Sequence, residues 1–216
     1  MRVCALLLLL AGFSAMAVAE DYRAAKPGDL LQVRLEQLHP TQAVVGYDQI
    51  YYKLGRFAKE PNKLFDEYCE GNGQGESSKV PKGANLHQPD SFSCQGAVAS
   101  RSSEMKTVVV GPEGQLYLTD GHHTFTTLWE QPEGKVTDNF SDSADLASFW
   151  QRMQAARKVW LKDGQGQVIT PEQIPAQLGL GSLADDPYRA LVYFTREVAY
   201  DKPRSGDVAP EFLEFY

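Results

Sequence analysis

The alternation of hydrophobic and polar positions predicts short strands in two regions of the chain. Residues 30–35 alternate and place Leu31, Val33 and Leu35 on one face. The β-branched run at 105–110 predicts a second strand, and residues 115–119 predict a third strand that returns after the Gly-Pro-Glu-Gly turn. The middle of the chain therefore contributes two adjacent strands to a sheet.

A period close to 3.6 residues predicts helices elsewhere. Residues 47–58 carry apolar side chains at helical spacing, with Lys53 and Arg56 beside them. A helix is also expected at 123–130, directly after the third strand. Ser143 is a candidate cap for a helix that presents Phe149 and Met153.

The last third of the chain holds further helix signals. Residues 170–173, Thr-Pro-Glu-Gln, have the pattern of a capping box with proline at the first helical position. Asp186 and Pro187 are candidates to start another helix, although residues 192–194 fit a short strand equally well. We expect an α+β fold with a small sheet, flanking helices and a mostly helical C-terminal third.

The first 19 residues have the pattern of a secretory signal peptide. Arg2 precedes an apolar stretch at 4–13, and Ala-Val-Ala at 17–19 predicts cleavage before Glu20. An uncleaved anchor is the alternative, but the apolar stretch is shorter than the about 20 residues that a membrane span needs. We expect a periplasmic or secreted protein, not inserted in a membrane after cleavage, with one domain at 20–216.

Export changes how the cysteines and the charge are interpreted. Cys69 and Cys94 are the pair left after cleavage, which predicts a disulfide across a loop rich in Gly, Ser, Asn and Pro. Such a bond would stabilise the fold by roughly 3 kcal/mol. The net charge of −7 disfavours non-specific binding of nucleic acid, which depends on Lys and Arg, although a local basic patch stays open.

The strongest candidate for chemistry is Asp120-Gly121-His122-His123, between the third strand and the next helix. Glycine allows a tight turn or a close ligand approach, and the first helical amides attract anions. Histidine exchanges protons near neutral pH, and Asp120 would orient a histidine or bind a metal. The structural alternative is that Asp120 caps the helix and a histidine satisfies buried backbone groups.

The order of these motifs resembles the ParB/sulfiredoxin superfamily, and more narrowly its exported branch described as ParB-like nucleases. The resemblance covers roughly residues 30–200. It is carried by the strand at 30–35, Pro-Thr-Gln at 40–42, the helix with Lys53, and the segment Leu-Tyr-Leu-Thr-Asp-Gly-His-His-Thr-Phe that ends at Phe125. The resemblance implies a small mixed sheet with flanking helices, and it places Lys53 and Arg56 near the segment Asp120-Gly121-His122-His123, here called the histidine loop.

The same resemblance indicates which chemistry to expect. ParB proteins carry Gly-Glu-Arg-Arg at this loop and sulfiredoxins carry Gly-Cys-His-Arg. Gly121 matches both and His123 matches the sulfiredoxin histidine, but His122 replaces the catalytic cysteine, which excludes sulfiredoxin chemistry. Thr124 replaces the phosphate-binding arginine, so the candidate phosphate contacts are Gly121, Thr124, Lys53 and Arg56.

Two functions are consistent with this sequence. The first is a nuclease or phosphodiesterase in which His123, favoured as the base because a helix dipole disfavours its protonation, acts with His122 and Asp120. The second is a binding module that keeps the fold without the chemistry. The partner would be a phosphate-containing small molecule or nucleic acid. No cofactor is identified; a divalent metal stays open, although Asp120 and one histidine give only two of the three ligands that catalytic zinc needs.

Overall fold

The structure is a computed structural model that describes residues 21–127 and 133–199. The predicted signal peptide lies outside the described residues, as do the last three residues of the helix predicted at 123–130. No helix in the described ranges is long and apolar enough to cross a membrane.

The strands in the described part of the chain form three sheets. In chain order the strands are β1 (Leu30–Gln32), β2 (Leu38–His39), β3 (Val44–Val45), β4 (Ser77–Lys79), β5 (Ser93–Cys94), β6 (Thr107–Val110), β7 (Leu116–Leu118), β8 (Glu133–Asn139) and β9 (Ala184–Asp185). The main sheet is mixed and has the order β1-β8-β6-β7-β2, in which β6 and β7 form an antiparallel hairpin while β2–β7 and β6–β8 run parallel. The other two sheets are the pairs β3–β9 and β4–β5.

Helices flank the main sheet and the β3–β9 pair. The α-helices of the described residues are α1 (Tyr47–Lys59), α2 (Asn62–Gly71), α3 (His122–Thr127), α4 (Leu146–Ala155) and α5 (Pro187–Ala199). This arrangement confirms the predicted α+β class with a small mixed sheet. In the last third of the chain, α4 and α5 are separated by a segment that is largely irregular.

The predicted helices and strands differ from the structure in several bounds. The first strand ends at Gln32 rather than at residue 35, because the Gln37 side chain accepts a hydrogen bond from the Arg34 amide and stabilises a short 3-10 helix at Leu35–Gln37. Asp145 caps α4 instead of Ser143, since its carboxylate accepts from the Ser148 amide.

Other outcomes concern the last third of the chain and a strand that was not predicted. The capping box at Thr170 is present but holds only a 3-10 helix, Pro171–Gln173. Residues 192–194 belong to α5, so the strand alternative is wrong. Strand β8 was not predicted, because its sequence EGKVTDN has a single apolar side chain, Val136.

The hydrophobic core lies on both faces of the main sheet. Successive side chains of a strand point to opposite faces, so Val108 and Val110 of β6 pack with Phe125 of α3. Val109 faces the other way and packs with Phe149 of α4. All four residues of β6 are buried, which fixes the hairpin and the loop that follows it.

The short parallel pair β3–β9 sets the position of two helices. Each strand leads almost directly into a helix, α1 after β3 and α5 after β9. The Tyr47 amide donates to the Asp185 carboxylate at 2.8 Å, and the Asp186 amide donates to the Val45 carbonyl at 2.8 Å. The two helices therefore leave the same end of the pair and lie side by side.

A separate small core stabilises the stapled segment, which is the stretch of residues 69–94 closed by the Cys69–Cys94 disulfide. Cys69 on α2 is bonded to Cys94 on β5 with Cα atoms 5.6 Å apart, which confirms the predicted disulfide. Phe65 and Phe92 pack beside the bond with ring centres 4.9 Å apart. The disulfide thus holds α2, a helix that the sequence analysis did not predict, against β5.

Candidate phosphate-binding site

The histidine loop opens into a cleft of about 330 Å³ between α1, α2, α3 and α5. The lining combines basic, acidic and aromatic side chains from segments that are far apart in the sequence. They are Gln49, Lys53, Arg56, Glu67, Glu70, Lys106, Asp120, Gly121, His123, Thr124, Arg189, Val192, Tyr193 and Arg196.

Gly121 makes the turn that brings the loop to the cleft. Its φ of +103° lies in the region that favours glycine. A Cβ atom at this position would lie 2.9 Å from side-chain carbons of Lys106. Lys106 therefore packs directly across the glycine, and its ammonium lies 3.6 Å from the Asp120 carboxylate. The turn places a basic and an acidic group together at the cleft wall, and α3 begins at His122, within one residue of the predicted start.

A largely buried network of Lys53, Glu67 and Thr124 joins three helices at the cleft. The Lys53 ammonium donates to Glu67 Oε1 and, at 3.3 Å, to the Thr124 hydroxyl. The Thr124 hydroxyl donates to the same Glu67 oxygen at 2.9 Å. Thr124 holds the position where the resemblance leads one to expect arginine, so the basic group beside this position comes from α1 instead.

The two carboxyl groups that α2 contributes have opposite pKa shifts. Burial opposes the ionisation of Glu67, but the Lys53 ammonium and the hydrogen bonds from Lys53 and Thr124 outweigh it and hold the pKa of this carboxyl below its ordinary value. Burial and the nearby carboxylates of Glu67, Asp66 and Glu76 raise the pKa of Glu70. Glu67 is therefore a persistent anion, whereas Glu70 retains a proton more readily.

Both histidines accept hydrogen bonds from the backbone of the segment that precedes α1. His122 is fully buried, and its Nε2 accepts from the Thr41 amide at 3.1 Å. His123 lines the cleft, and its Nε2 accepts from the Gly46 amide at 2.9 Å. A ring nitrogen that accepts a hydrogen bond is unprotonated, so each neutral ring carries its proton on Nδ1.

The cleft brings together six of the seven predicted site residues. His123, Asp120, Gly121, Thr124, Lys53 and Arg56 all line it. His122 lies in the interior instead, bound to Thr41. Within the described residues, no group of three or more His, Cys, Asp or Glu side chains is placed to hold a metal ion.

Several lining residues were missed by the sequence analysis. Glu67 and Glu70 were missed because α2 was not recognised, although Leu64, Phe65 and Tyr68 have the spacing of a helix face. The sequence favours a structural or surface position for Arg189, with anion binding as the alternative, and a short motif gives no sign that it reaches this cleft. Lys106 directly precedes β6 and belongs to none of the motifs recognised in the sequence.

Comparison with known proteins identifies the family. The chain matches the family model described as "Putative ParB-like nuclease" over residues 31–216. This protein therefore belongs to the ParB-like nuclease family, as the resemblance of its motifs had indicated.

Among solved structures, the crystal structure of protein Atu1540 from Agrobacterium tumefaciens is similar to this chain. The two share 21% sequence identity with a TM-score of 0.57, over 88% of this chain and 79% of the other. At that identity the likeness concerns the fold. No match was found among curated proteins.

Proposed function

We propose that the protein binds a phosphate ester in this cleft and hydrolyses it, as a phosphodiesterase or nuclease. The observation that carries the proposal is the buried Lys53–Glu67–Thr124 network beside His123. Among the described residues, five basic side chains and three acidic ones line the cleft, whereas the whole chain has a net charge of −7. A local excess of positive charge in an acidic protein favours an anionic ligand.

The lining also holds the groups that hydrolysis requires. A phosphodiesterase needs positive charge on the phosphate, a base for water and an acid for the leaving oxygen. Lys53, Arg56 and Lys106 supply the charge. Asp120 and Glu70 are two further carboxyl groups of the lining, and we assign Glu70 as the candidate acid for the leaving oxygen.

The role of His123 is narrowed by its hydrogen bond. In the tautomer that accepts from Gly46, the imidazole has no lone pair to offer a ligand. A base function would require His123 to break that bond, whereas a hydrogen bond donated from Nδ1–H would not. A neutral ring cannot supply the proton for the leaving oxygen, because loss of its one N–H proton would leave an imidazolate. We therefore assign His123 first to binding, and the base function predicted from the sequence stays a prediction.

The hydrogen bonds that His122 and His123 accept from the Thr41 and Gly46 amides favour a second candidate function, a binding module without catalysis. Both histidines are used to hold the segment before α1, as expected for residues with a structural function. In that case the cleft binds the phosphate ester and releases it unchanged.

The experiment is a hydrolysis and binding assay on the purified protein. Bis-p-nitrophenyl phosphate, RNA, and single-stranded and duplex DNA would each be tested with and without Mg²⁺ and Mn²⁺. If the protein is a phosphodiesterase, we expect His123→Ala and Asp120→Asn to lower the rate by about 10²-fold or more. Equal rates for His123→Ala and the parent would contradict a catalytic function of His123.

Two further variants make this experiment specific. Lys53→Met combined with Glu67→Gln removes both charges of the buried pair, so neither is left unpaired, and we expect a loss of about 10²-fold. His87→Ala changes an exposed histidine in the stapled segment and is expected to keep the parental rate. Binding without hydrolysis on every substrate would favour the binding module, and neither binding nor hydrolysis would overturn both candidates.

We also propose that the protein works outside the cytoplasm. The support is the signal-peptide pattern of residues 1–19 together with the Cys69–Cys94 bond, because disulfides form and persist in oxidising compartments.

A further inference from the structure

Arg189 is a buried arginine that also forms part of the cleft wall. It lies in the first turn of α5, and its side chain is only 1% exposed. Its Nε lies 3.8 Å from the Asp186 carboxylate, and its guanidinium carbon lies 5.7 Å from the centre of the Trp160 ring. The guanidinium is therefore held from two sides while it borders the cleft.

Burial of a guanidinium in this position raises the free energy of the folded protein unless neighbouring or bound groups compensate its charge. Arginine stays protonated in proteins, so burial cannot be relieved by loss of the charge. Removing a charged group from water costs several kcal/mol unless anions and hydrogen bonds compensate. Asp186 is a nearby anion, and a ligand anion in the cleft would be a second.

The backbone around Arg189 fixes its position relative to the other basic groups. Strands β3 and β9 run parallel and start α1 and α5 side by side. The two helices approach so closely that a Cβ on Gly46 would lie 2.6 Å from the Ala190 amide nitrogen. Gly46 in turn donates to His123. Arg189 is thus tied through Ala190 and Gly46 to the histidine of the cleft.

We propose that Arg189 is the residue that recognises the phosphoryl group, and that the ligand is a phosphodiester anion with two unesterified oxygens. This inference rests on the proposed function. A guanidinium presents two parallel N–H groups that match two oxygens of one phosphate, which an ammonium such as that of Lys53 cannot do. Arg189 sets the geometry of the bound phosphate, and Lys53 adds charge.

Asp186 is the positioning residue for this guanidinium. Its amide donates to Val45, and its carboxylate accepts from the Tyr188 amide at 3.0 Å while lying near Arg189. The same carboxylate therefore starts α5 and lies within ion-pair distance of the arginine. Asp186→Asn would keep an oxygen for Tyr188 and remove the charge beside Arg189.

The test compares Arg189→Lys with the parent. Lysine keeps the charge and removes the two-pronged contact, so we expect at least about tenfold weaker binding of dimethyl phosphate and a similar fall in kcat/KM on bis-p-nitrophenyl phosphate. Arg152→Lys, on α4 outside the cleft lining, is the matched control and should retain both values. Trimethyl phosphate, which is neutral and has one unesterified oxygen, should not bind the parent.

Two additional measurements keep the inference testable if Arg189→Lys does not fold. NMR of the arginine Nε–H groups in the parent should show the Arg189 signal shifting when dimethyl phosphate is added. Asp186→Asn should weaken the binding of dimethyl phosphate relative to the parent, without loss of the folded state, and unchanged binding would contradict the positioning function of Asp186.

The possible results separate the two proposals. If the parent binds or hydrolyses the diester, and Arg189→Lys does so equally well or the Arg189 signal does not respond, the inference about Arg189 is overturned and the proposed function stands. If the parent neither binds nor hydrolyses any phosphate ester, the proposed function fails and the inference fails with it.

Discussion

Glu67 shows how one side chain organises the cleft. Its carboxylate accepts hydrogen bonds from Lys53 on α1 and Thr124 on α3 while it belongs to α2. Because the side chain is only 20% exposed, these bonds are poorly screened by water. Removing either Lys53 or Glu67 alone leaves the other charge largely buried without its partner. This destabilises the fold more than removing both charges together.

The shifted pKa of Glu67 predicts a pH dependence of stability. A folded-state pKa below the unfolded value means that the ionised carboxylate stabilises the fold above the unfolded pKa, ordinarily 4.5, and that this contribution is lost as the pH falls through the folded value. We expect the difference in unfolding free energy between the parent and Glu67→Gln to be largest near pH 7 and to shrink on acidification below the ordinary value.

Urea unfolding of both proteins at several pH values would measure this difference. Glu36→Gln, which changes a carboxylate 66% exposed, serves as the control and should show a much smaller dependence. A constant difference between Glu67→Gln and the parent from neutral to acid pH would contradict the coupling of Glu67 to the network.

At the scale of the element, periodicity identified those parts whose apolar side chains meet the core. Strand β7 and helix α1 were predicted because residues such as Leu116, Leu118 and Ile50 are buried at regular spacing. Strand β8 could not be found in this way, since it is held by backbone pairing with β1 and β6 rather than by its own side chains.

Helix α2 was hidden for a different reason. It follows α1 after only two residues, and it runs directly into the polar loop that the disulfide closes. The sequence analysis therefore placed the loop directly after α1 and assigned no helix between them. With α2 the sequence analysis also missed Glu67, the centre of the network. The residues Lys53, Thr124 and His123 were identified because a motif or a resemblance drew attention to them, but their mutual contacts depend on tertiary packing that spacing cannot reveal.

The disulfide predicts how α2 responds to reduction. Because Cys69 and Glu67 lie two residues apart on this helix, we expect reduction, or Cys69→Ser with Cys94→Ser, to lower the unfolding free energy by roughly 3 kcal/mol. Hydrogen exchange of the α2 amides should quicken more than that of β6 in the central sheet. Unchanged stability together with unchanged exchange in α2 would contradict a stabilising function of the bond.

At the scale of the whole molecule, the cleft combines segments from most of the chain. Helices α1 and α2, the histidine loop and α5 each contribute charged side chains to it. The family match likewise extends over residues 31–216. The fold and the cleft are therefore properties of one extended stretch of sequence, which begins after the predicted signal peptide.

Export predicts a defined N-terminus. If the signal peptide is removed before Glu20, protein recovered from the periplasm or the medium should start at Glu20 and have no titratable thiol when denatured without reductant. Terminal sequencing and a thiol assay would measure both. Recovery of the protein in the cytoplasm with Met1 retained, or with Cys69 and Cys94 free, would contradict the proposed localisation.

The parallel pairing of β3 with β9 has a consequence for how this protein reaches its native state. The hydrogen bond from Tyr47 to Asp185 joins residues 138 positions apart, so a long loop must close before α1 and α5 can meet. Proteins dominated by such distant contacts fold slowly, because closing the loop loses conformational entropy before the stabilising contacts have formed. We therefore expect the central hairpin of β6 and β7 to form early, and the binding surface to be completed only after α5 has docked. A nascent chain that has not yet extended past Arg189 would have the histidine loop but no assembled pocket.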